Sequence, residues 1–311
     1  MNAKIITLVF LSITILSFTS CENYFSASAA FTSATGSLIS RDREGNSIIL
    51  PKTINRIISM GPSNTEILVA IGCEDKIVAI DEYSVNVSGI KPGVPKFSMI
   101  APNGEQIINL EPDVIFVTGM SKMGGDDPFK IVADTGLCVI YIPSSSSIEG
   151  IKEDVLYISE VMGARSKGEE IVADMEKDIV NIRAIGQTIT DVKKVYFEIS
   201  AAPWMYSFGS GVFLNEIIEL IGAVNILVDQ ESWILVADEA IFKALPDVIL
   251  TNVDNIDNPI EEIKSRPGWG EITAVRNNDV YYIDRDASSR PSHNIIKALK
   301  EMAKAIYPDK Y

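Results

Sequence analysis

Histidine is almost missing from this chain: His293 is the only one in 311 residues. A site made of several histidines is therefore excluded within one chain, and with it the usual cage for a bare zinc or manganese ion. Cysteine is also scarce. Cys21, Cys73 and Cys138 form neither a zinc ribbon nor a dense disulfide framework. Positive charge is in deficit, with 27 Lys and Arg against 42 Asp and Glu and a net charge of −15. A general nucleic-acid binder needs clustered Lys and Arg for the phosphate backbone, so that class is excluded. Catalytic signatures are missing as well. Ser210 lies between Gly209 and Gly211 without the G-x-S-x-G pattern, and no Gly-rich phosphate loop follows a strand. His293 falls at the expected start of the final helix, where a surface or capping role suits it better than that of a general base. What is plentiful is apolar: 47% hydrophobic residues against 22% charged ones exclude a wholly disordered chain.

The first twenty residues read as a secretory signal. Lys4 gives a short positive start, and Ile5 to Phe18 is an apolar run too short to span a membrane. Thr19 and Ser20 then precede Cys21, a small-residue cleavage point of the kind found in a lipobox, with Phe18 where Leu is usual. Cys21 is thus the expected lipidation site. From there to residue 37 the chain is rich in Ser, Ala, Thr and Gly without periodicity, as in a flexible tether. Cys73 and Cys138 are left with two options, a disulfide or two free thiols.

The rest alternates strand-like and helical runs. Arg56 to Met60 is a short apolar strand, and Ser63 to Glu66 has the form of a capping box that opens a helix ending at Gly72. Lys76 to Ile80, Pro112 to Thr118 and Leu137 to Ile142 are further strands. The second half repeats the first. Asn215 to Gly222 (NEIIELIG) echoes Thr65 to Gly72 (TEILVAIG), and Glu239 to Leu250 echoes Glu105 to Phe116, each without a gap. Two echoes in the same order imply two α/β lobes, each with a parallel sheet and right-handed crossovers. The expected domains are a signal (1–20), a lipidated tether (21–37), an N-terminal lobe (38–147), a helical connector (148–186) and a C-terminal lobe (187–311).

Within the connector, Ile171, Met175, Ile179 and Ile182 fall on one helical face. No Pro or Gly interrupts Glu169 to Ile185, which would reach about 25 Å as a single rigid helix. Ligands of α/β sheets gather beyond the carboxyl ends of the strands. Those ends hold Pro62, Ser63 and Asn64; Tyr83; Met120, Ser121 and Lys122; Trp204, Met205, Tyr206 and Phe208; Asn252; and Arg285 and Arg290. The concentration of aromatic and thioether side chains on 204–208 suits a flat, greasy ligand. The two arginines suit carboxylate, phosphate or chelate oxygens, or else pair with Asp284 and Asp286.

Four segments carry a family resemblance. They are Arg56 to Leu68 (RIISMGPSNTEIL), Leu110 to Ile115 (LEPDVI), Asn215 to Gly222, and Ser289 to Ser292 (SRPS) before a last helix. Together they resemble the substrate-binding proteins of ABC importers for iron-siderophores, haem and cobalamin, the class III periplasmic binding proteins. The resemblance spans about residues 38 to 308. It implies two Rossmann-like lobes joined by one long helix, little closure, a monomer, and a metal-chelate ligand in the cleft with no resident cofactor. It also implies docking on a permease, itself coupled to an ATPase, through one acid per lobe. Glu105 and Glu239 occupy those positions and are equivalent in the repeat, so they would give a two-point electrostatic register.

Among ligands, a ferric siderophore or other iron chelate is ranked first, cobalamin second and haem third. A corrinoid would pack on aromatics such as Trp204 and Trp233, and haem would want an axial Tyr or Met such as Tyr83, Met120, Met205 or Tyr206. Two other readings stay open: a surface lipoprotein that binds a macromolecule, and a periplasmic enzyme on the same lobes.

Overall fold

The computed structural model describes residues 39–122 and 125–311. The signal, Cys21 and the whole tether lie outside the described residues. No helix among those described is long and apolar enough to cross a membrane.

The N-terminal lobe is built on β1 (Ile57–Met60), α1 (Pro62–Ala70), β2 (Ile77–Asp81), β3 (Lys96–Phe97), α2 (Gly104–Asn109), β4 (Val114–Thr118), α3 (Lys130–Ala133) and β5 (Cys138–Ile142). Its sheet is parallel throughout, in the order β3-β2-β1-β4-β5. β1 and β4 are fully buried, as strands covered on both faces must be. That is why both read as unbroken apolar runs without alternation.

Two helices follow, α4 (Ile148–Val161) and α5 (Arg165–Gly186). The C-terminal lobe then runs through β6 (Lys194–Glu198), β7 (Tyr206–Phe208), α6 (Phe213–Leu220), β8 (Val224–Asn225), β9 (Trp233–Leu235), α7 (Asp238–Ala244), β10 (Val248–Thr251), α8 (Pro259–Ser265), α9 (Thr273–Asn277), β11 (Val280–Tyr282), α10 (Arg285–Ser289) and α11 (Ile295–Ile306). Its parallel sheet has the order β11-β10-β6-β8, and β7 pairs antiparallel with β9 beside it. The expected fold class is therefore observed: two α/β lobes with parallel sheets.

The repeat extends to backbone detail. α1 and α6 both end in a Schellman turn on a left-handed glycine, Gly72 (φ 79°) and Gly222 (φ 85°). In the first, Cys73 N–H donates to Leu68 O; in the second, Ala223 N–H donates to Ile218 O.

Two expectations need correction. Ser63 does not cap α1. The cap position is Gly61, Pro62 takes the first helical turn, and no side chain bonds the free amides. Glu66, read as the return half of a capping box, instead points into the other lobe. The long helix expected over Glu169 to Ile185 is present within α5, but it does not make the connector alone. α5 has 22 residues, about 33 Å long, and α4 precedes it across a turn at Gly163. The reason is visible in the packing. Ile148 and Ile151 of α4 enter the C-lobe core, whereas Val155, Ile158 and Val161 enter the N-lobe core. α5 runs the other way: Val172 packs on the N-lobe core, Ile171 on both, and Met175, Ile179 and Ile182 on the C-lobe core. Each helix is thus shared by both lobes, and neither can swing without exposing apolar surface.

Candidate functional site: the strand-end loops

The site begins with Asp81, the last residue of β2, which is fully buried. Its carboxylate accepts the N–H of Gly61 at 3.0 Å, the N–H of Tyr83 at 2.8 Å and the hydroxyl of Ser84. Ser84 Oγ lies 2.9 Å from Thr65 Oγ1, which lies 2.8 Å from Ser59 Oγ. One buried acid with a chain of hydroxyls therefore fixes the entry to α1 and the turn that carries Tyr83. Burial pushes the Asp81 carboxyl above its ordinary range, against the hydrogen bonds from Ser84, Tyr83 and Gly61.

Beside it, Asn64 and Ser121 are buried, and their side-chain polar atoms lack partners among the described residues. Such groups take a partner from ligand or solvent. Met120 is 47% exposed and Tyr83 57%. Pro62 and Ser63 are at the start of α1, with Ser63 nearly buried. Lys122 is spoken for: its ammonium is 2.7 Å from Glu44 and 3.6 Å from the centre of the Tyr141 ring.

In the C-terminal lobe the segment 201–208, expected as a loop, is partly sheet. Tyr206 to Phe208 pair with Trp233 to Leu235. Tyr206 and Phe208 share one face of β7, with Ser207 on the other, so their different burial reflects what lies over each end of the strand. Phe208 turns inward, fully buried, with its ring 5.6 Å from Phe197 and 5.8 Å from Trp233. Met205 is also buried. Tyr206 and Trp233 remain about two-fifths exposed, and Trp204 is 69% exposed. The contact surface available on this lobe is therefore Trp204, Tyr206 and Trp233, with Leu235 added. Phe208 and Met205 support it from below.

That support continues inward to a buried ion pair. Arg266 donates to both oxygens of Glu198, to Glu262, and to Met205 Sδ at 3.3 Å, and lies over the Trp269 ring. Burial raises the Glu198 carboxyl above its ordinary value, and the Arg266 guanidinium opposes the rise.

The remaining candidates are already engaged. Asn252 is buried and donates to Ser288 and Ser289. Arg285 pairs with Asp254 at 2.6 Å. Arg290 pairs with Glu66 at 2.7 Å and Asp286 at 2.8 Å, and donates to Tyr83 O at 3.2 Å. So Arg290 ties the lobes together: Asp286 is a partner expected from proximity, and Glu66 is not. Asp284 instead caps α10 through Ala287 N–H. Cys73 and Cys138 are free thiols, and burial lifts the Cys138 thiol to about 11. His293 is half-buried rather than exposed, one residue before the cap of α11, and burial lowers its imidazole. Glu105 and Glu239 are exposed in the first turns of α2 and α7, with no ion-pair partner among the described residues.

Sequence reasoning missed Glu66, Asp81, Arg266 and Ser292. For Glu66 a signal existed: it is the repeat equivalent of Glu216. Ser292 closes the SRPS segment, whereas the reach of Asp81 back to Gly61 and of Arg266 to Glu198 is marked by no local pattern.

An open apolar surface, without free cations among the nominated residues, suits capture rather than turnover. Comparison with known proteins agrees. The family model for periplasmic binding proteins matches residues 57–287. The uncharacterized ABC transporter substrate-binding lipoprotein YvrC of Bacillus subtilis is 32% identical over 272 residues, which are 87% of this chain and 85% of that protein. The vitamin B12-binding protein of Vibrio cholerae is 26% identical over 261 residues, 81% of this chain and 89% of that protein. A crystal structure described as a possible iron-binding (periplasmic solute-binding) protein from Staphylococcus epidermidis is 29% identical with a TM-score of 0.73, covering 82% of this chain and 100% of that one. The chain belongs to the periplasmic binding protein family, and it is the substrate-binding component of an ABC importer rather than an enzyme.

Proposed function

We propose that the chain captures a corrinoid on the strand-end loops and hands it to an ABC permease driven by its ATPase. The observation that carries this reading is the combination of exposed Trp204, Tyr206, Trp233 and Tyr83 with Lys122, Arg285 and Arg290 that are all already paired. An anionic ferric chelate or a haem with its propionates would need free cations, and drawing these three out of their pairs would cost the pairing energy. A neutral, amide-fringed macrocycle needs aromatic surface and a few orphaned polar groups, such as those of Asn64 and Ser121. This reverses the ranking taken from the sequence, where an iron chelate came first. The B12-binding relative supports the reversal, and the iron-binding neighbour in Staphylococcus epidermidis keeps the ferric chelate as the second reading.

In this reading the protein works as an exported monomer held to the membrane by lipid on Cys21. Glu105 and Glu239 dock it on the permease. Titration with cyanocobalamin, hemin and an anionic ferric tris-catecholate, followed by calorimetry, separates the readings. Saturable binding of cyanocobalamin alone is expected. Binding of hemin or the ferric chelate without cyanocobalamin would sink the corrinoid assignment.

A further inference from the structure

Two cavities in the molecule are the same place in the repeat. One, of about 490 Å³, is lined by Glu216, Glu219 and Leu220 of α6 and by Ile148, Glu149 and Lys152 of α4. The other, of about 390 Å³, is lined by Glu66, Val69 and Ala70 of α1 and by His293, Asn294 and Lys297 around the start of α11. Glu66, Val69 and Ala70 correspond to Glu216, Glu219 and Leu220 at the constant offset that relates Thr65 to Asn215. The opposite walls correspond as well, with the same internal spacing. α4 follows the last strand of the N-terminal sheet and α11 follows β11 of the C-terminal sheet, so each cavity joins the first helix of one lobe to the segment that leaves the sheet of the other.

In both, the equivalent glutamate makes the crossing. Glu66 is 6% exposed, binds Arg290 Nη1 at 2.7 Å, and accepts the hydroxyl of Ser292. Ser292 in turn accepts the N–H of Asn294 ahead of α11. Glu216 Oε2 accepts the N–H of Ile148, the first residue of α4, at 2.8 Å. Arg290 also donates to the carbonyl of Tyr83, so the first tie runs directly into a loop of the ligand site.

We propose that Glu66 and Glu216 are a matched pair of positioning residues, clasps that set the spacing of the two lobes and hence the separation of the two walls of the ligand site. The assignment of those walls rests on the function proposed above; the clasps themselves do not. Two ties related by the repeat hold the lobes at two separate points, so a hinge motion must break at least one. Breaking the first leaves a buried carboxylate without its guanidinium. Breaking the second removes the acceptor from an amide at the positive end of a helix. The protein is thereby held in its receiving geometry before any ligand arrives, which lowers the ordering cost of binding.

The test is the distance between spin labels at Lys96→Cys and Asn277→Cys, exposed positions on opposite lobes, read by double electron–electron resonance in the full chain carrying Cys21→Ser. Cys73→Ala and Cys138→Ala remove the two remaining free thiols, so only the introduced cysteines take label. Without ligand, a single narrow distance is expected. Glu66→Ala, Arg290→Ala and Glu216→Ala should each broaden it, and Arg290→Lys should keep it near the parent width. Glu66→Gln, which keeps shape and the Ser292 hydrogen bond, serves where the alanine variant does not fold, and should broaden it less. Cyanocobalamin affinity should fall about tenfold in the broadened variants. Distances as narrow as the parent in Glu66→Ala or Glu66→Gln and in Glu216→Ala would overturn the proposal. Because distance is read without ligand, a chain that ignores cyanocobalamin would refute the corrinoid reading and leave the clasp result standing on its own.

Discussion

The guanidinium of Arg266 meets both carboxylate oxygens of Glu198, at 2.7 and 2.8 Å, under the loop that presents Trp204. The pair is almost fully buried, so removing one partner strands the other in a low dielectric. Arg266→Ala should destabilise the protein by about 3–5 kcal/mol. Urea denaturation measures this directly. A loss below 1 kcal/mol would show that the pair is solvated in solution.

Trp204 offers the opposite case. Its ring is largely exposed, so Trp204→Ala should leave stability within about 0.5 kcal/mol of the parent. Affinity for cyanocobalamin should fall about five- to thirtyfold, as for a contact worth about 1–2 kcal/mol. Calorimetry on the same preparation reads both effects. Unchanged affinity would remove Trp204 from the site.

Glu105 and Glu239 sit exposed at equivalent positions of α2 and α7. Glu105→Lys with Glu239→Lys should leave ligand binding intact while ligand uptake by cells fails. Uptake at the parent rate would discard the docking role.

The raised pKa of Asp81 fixes a sign. A carboxyl whose folded value exceeds its unfolded value of about 3.9 holds its proton more tightly when folded. Its contribution is fully present below that unfolded value and is lost as pH rises through the folded one. The stability difference between the parent and Asp81→Asn should therefore shrink as pH rises from about 4 towards neutrality. Denaturation at several pH values shows the trend, and a difference that grows with pH would contradict it.

Gly186 marks where α5 meets α6. A Cβ there would lie 2.2 Å from the Leu220 carbonyl oxygen and 2.9 Å from the Ile221 carbonyl carbon, backbone atoms that cannot yield as a flexible side chain would. Gly186→Ala should cost about 1–3 kcal/mol by overpacking. Gly270→Ala, with nothing within 4 Å, is the control and should change little. Thermal unfolding of the two variants makes the comparison.

The two lobes were legible before folding because strands, helices and helix ends depend on neighbours. The run at Val114 to Thr118 is apolar because both its faces are covered, and Gly72 and Gly222 stand where only a left-handed residue ends the helix. The apolar stripe from Ile171 to Ile182 is likewise a property of spacing. The loops of the ligand site were legible as places, since they follow the strands. Which side chains face outward on them was not. Phe208 packs into the core against Phe197 and Trp233, while Trp204 stays in the open.

The amino-acid sequence by itself determined two similar α/β lobes, a helical connection and the family to which they belong, all from patterns a few residues long. Only the tertiary structure decided that the connection is a shared pair of helices, and that Arg290 pairs with Glu66 of the other lobe. Those partners are 224 positions apart. Their charges could have been satisfied by any nearby acid or base, and only the packing of the lobes brings these two within reach.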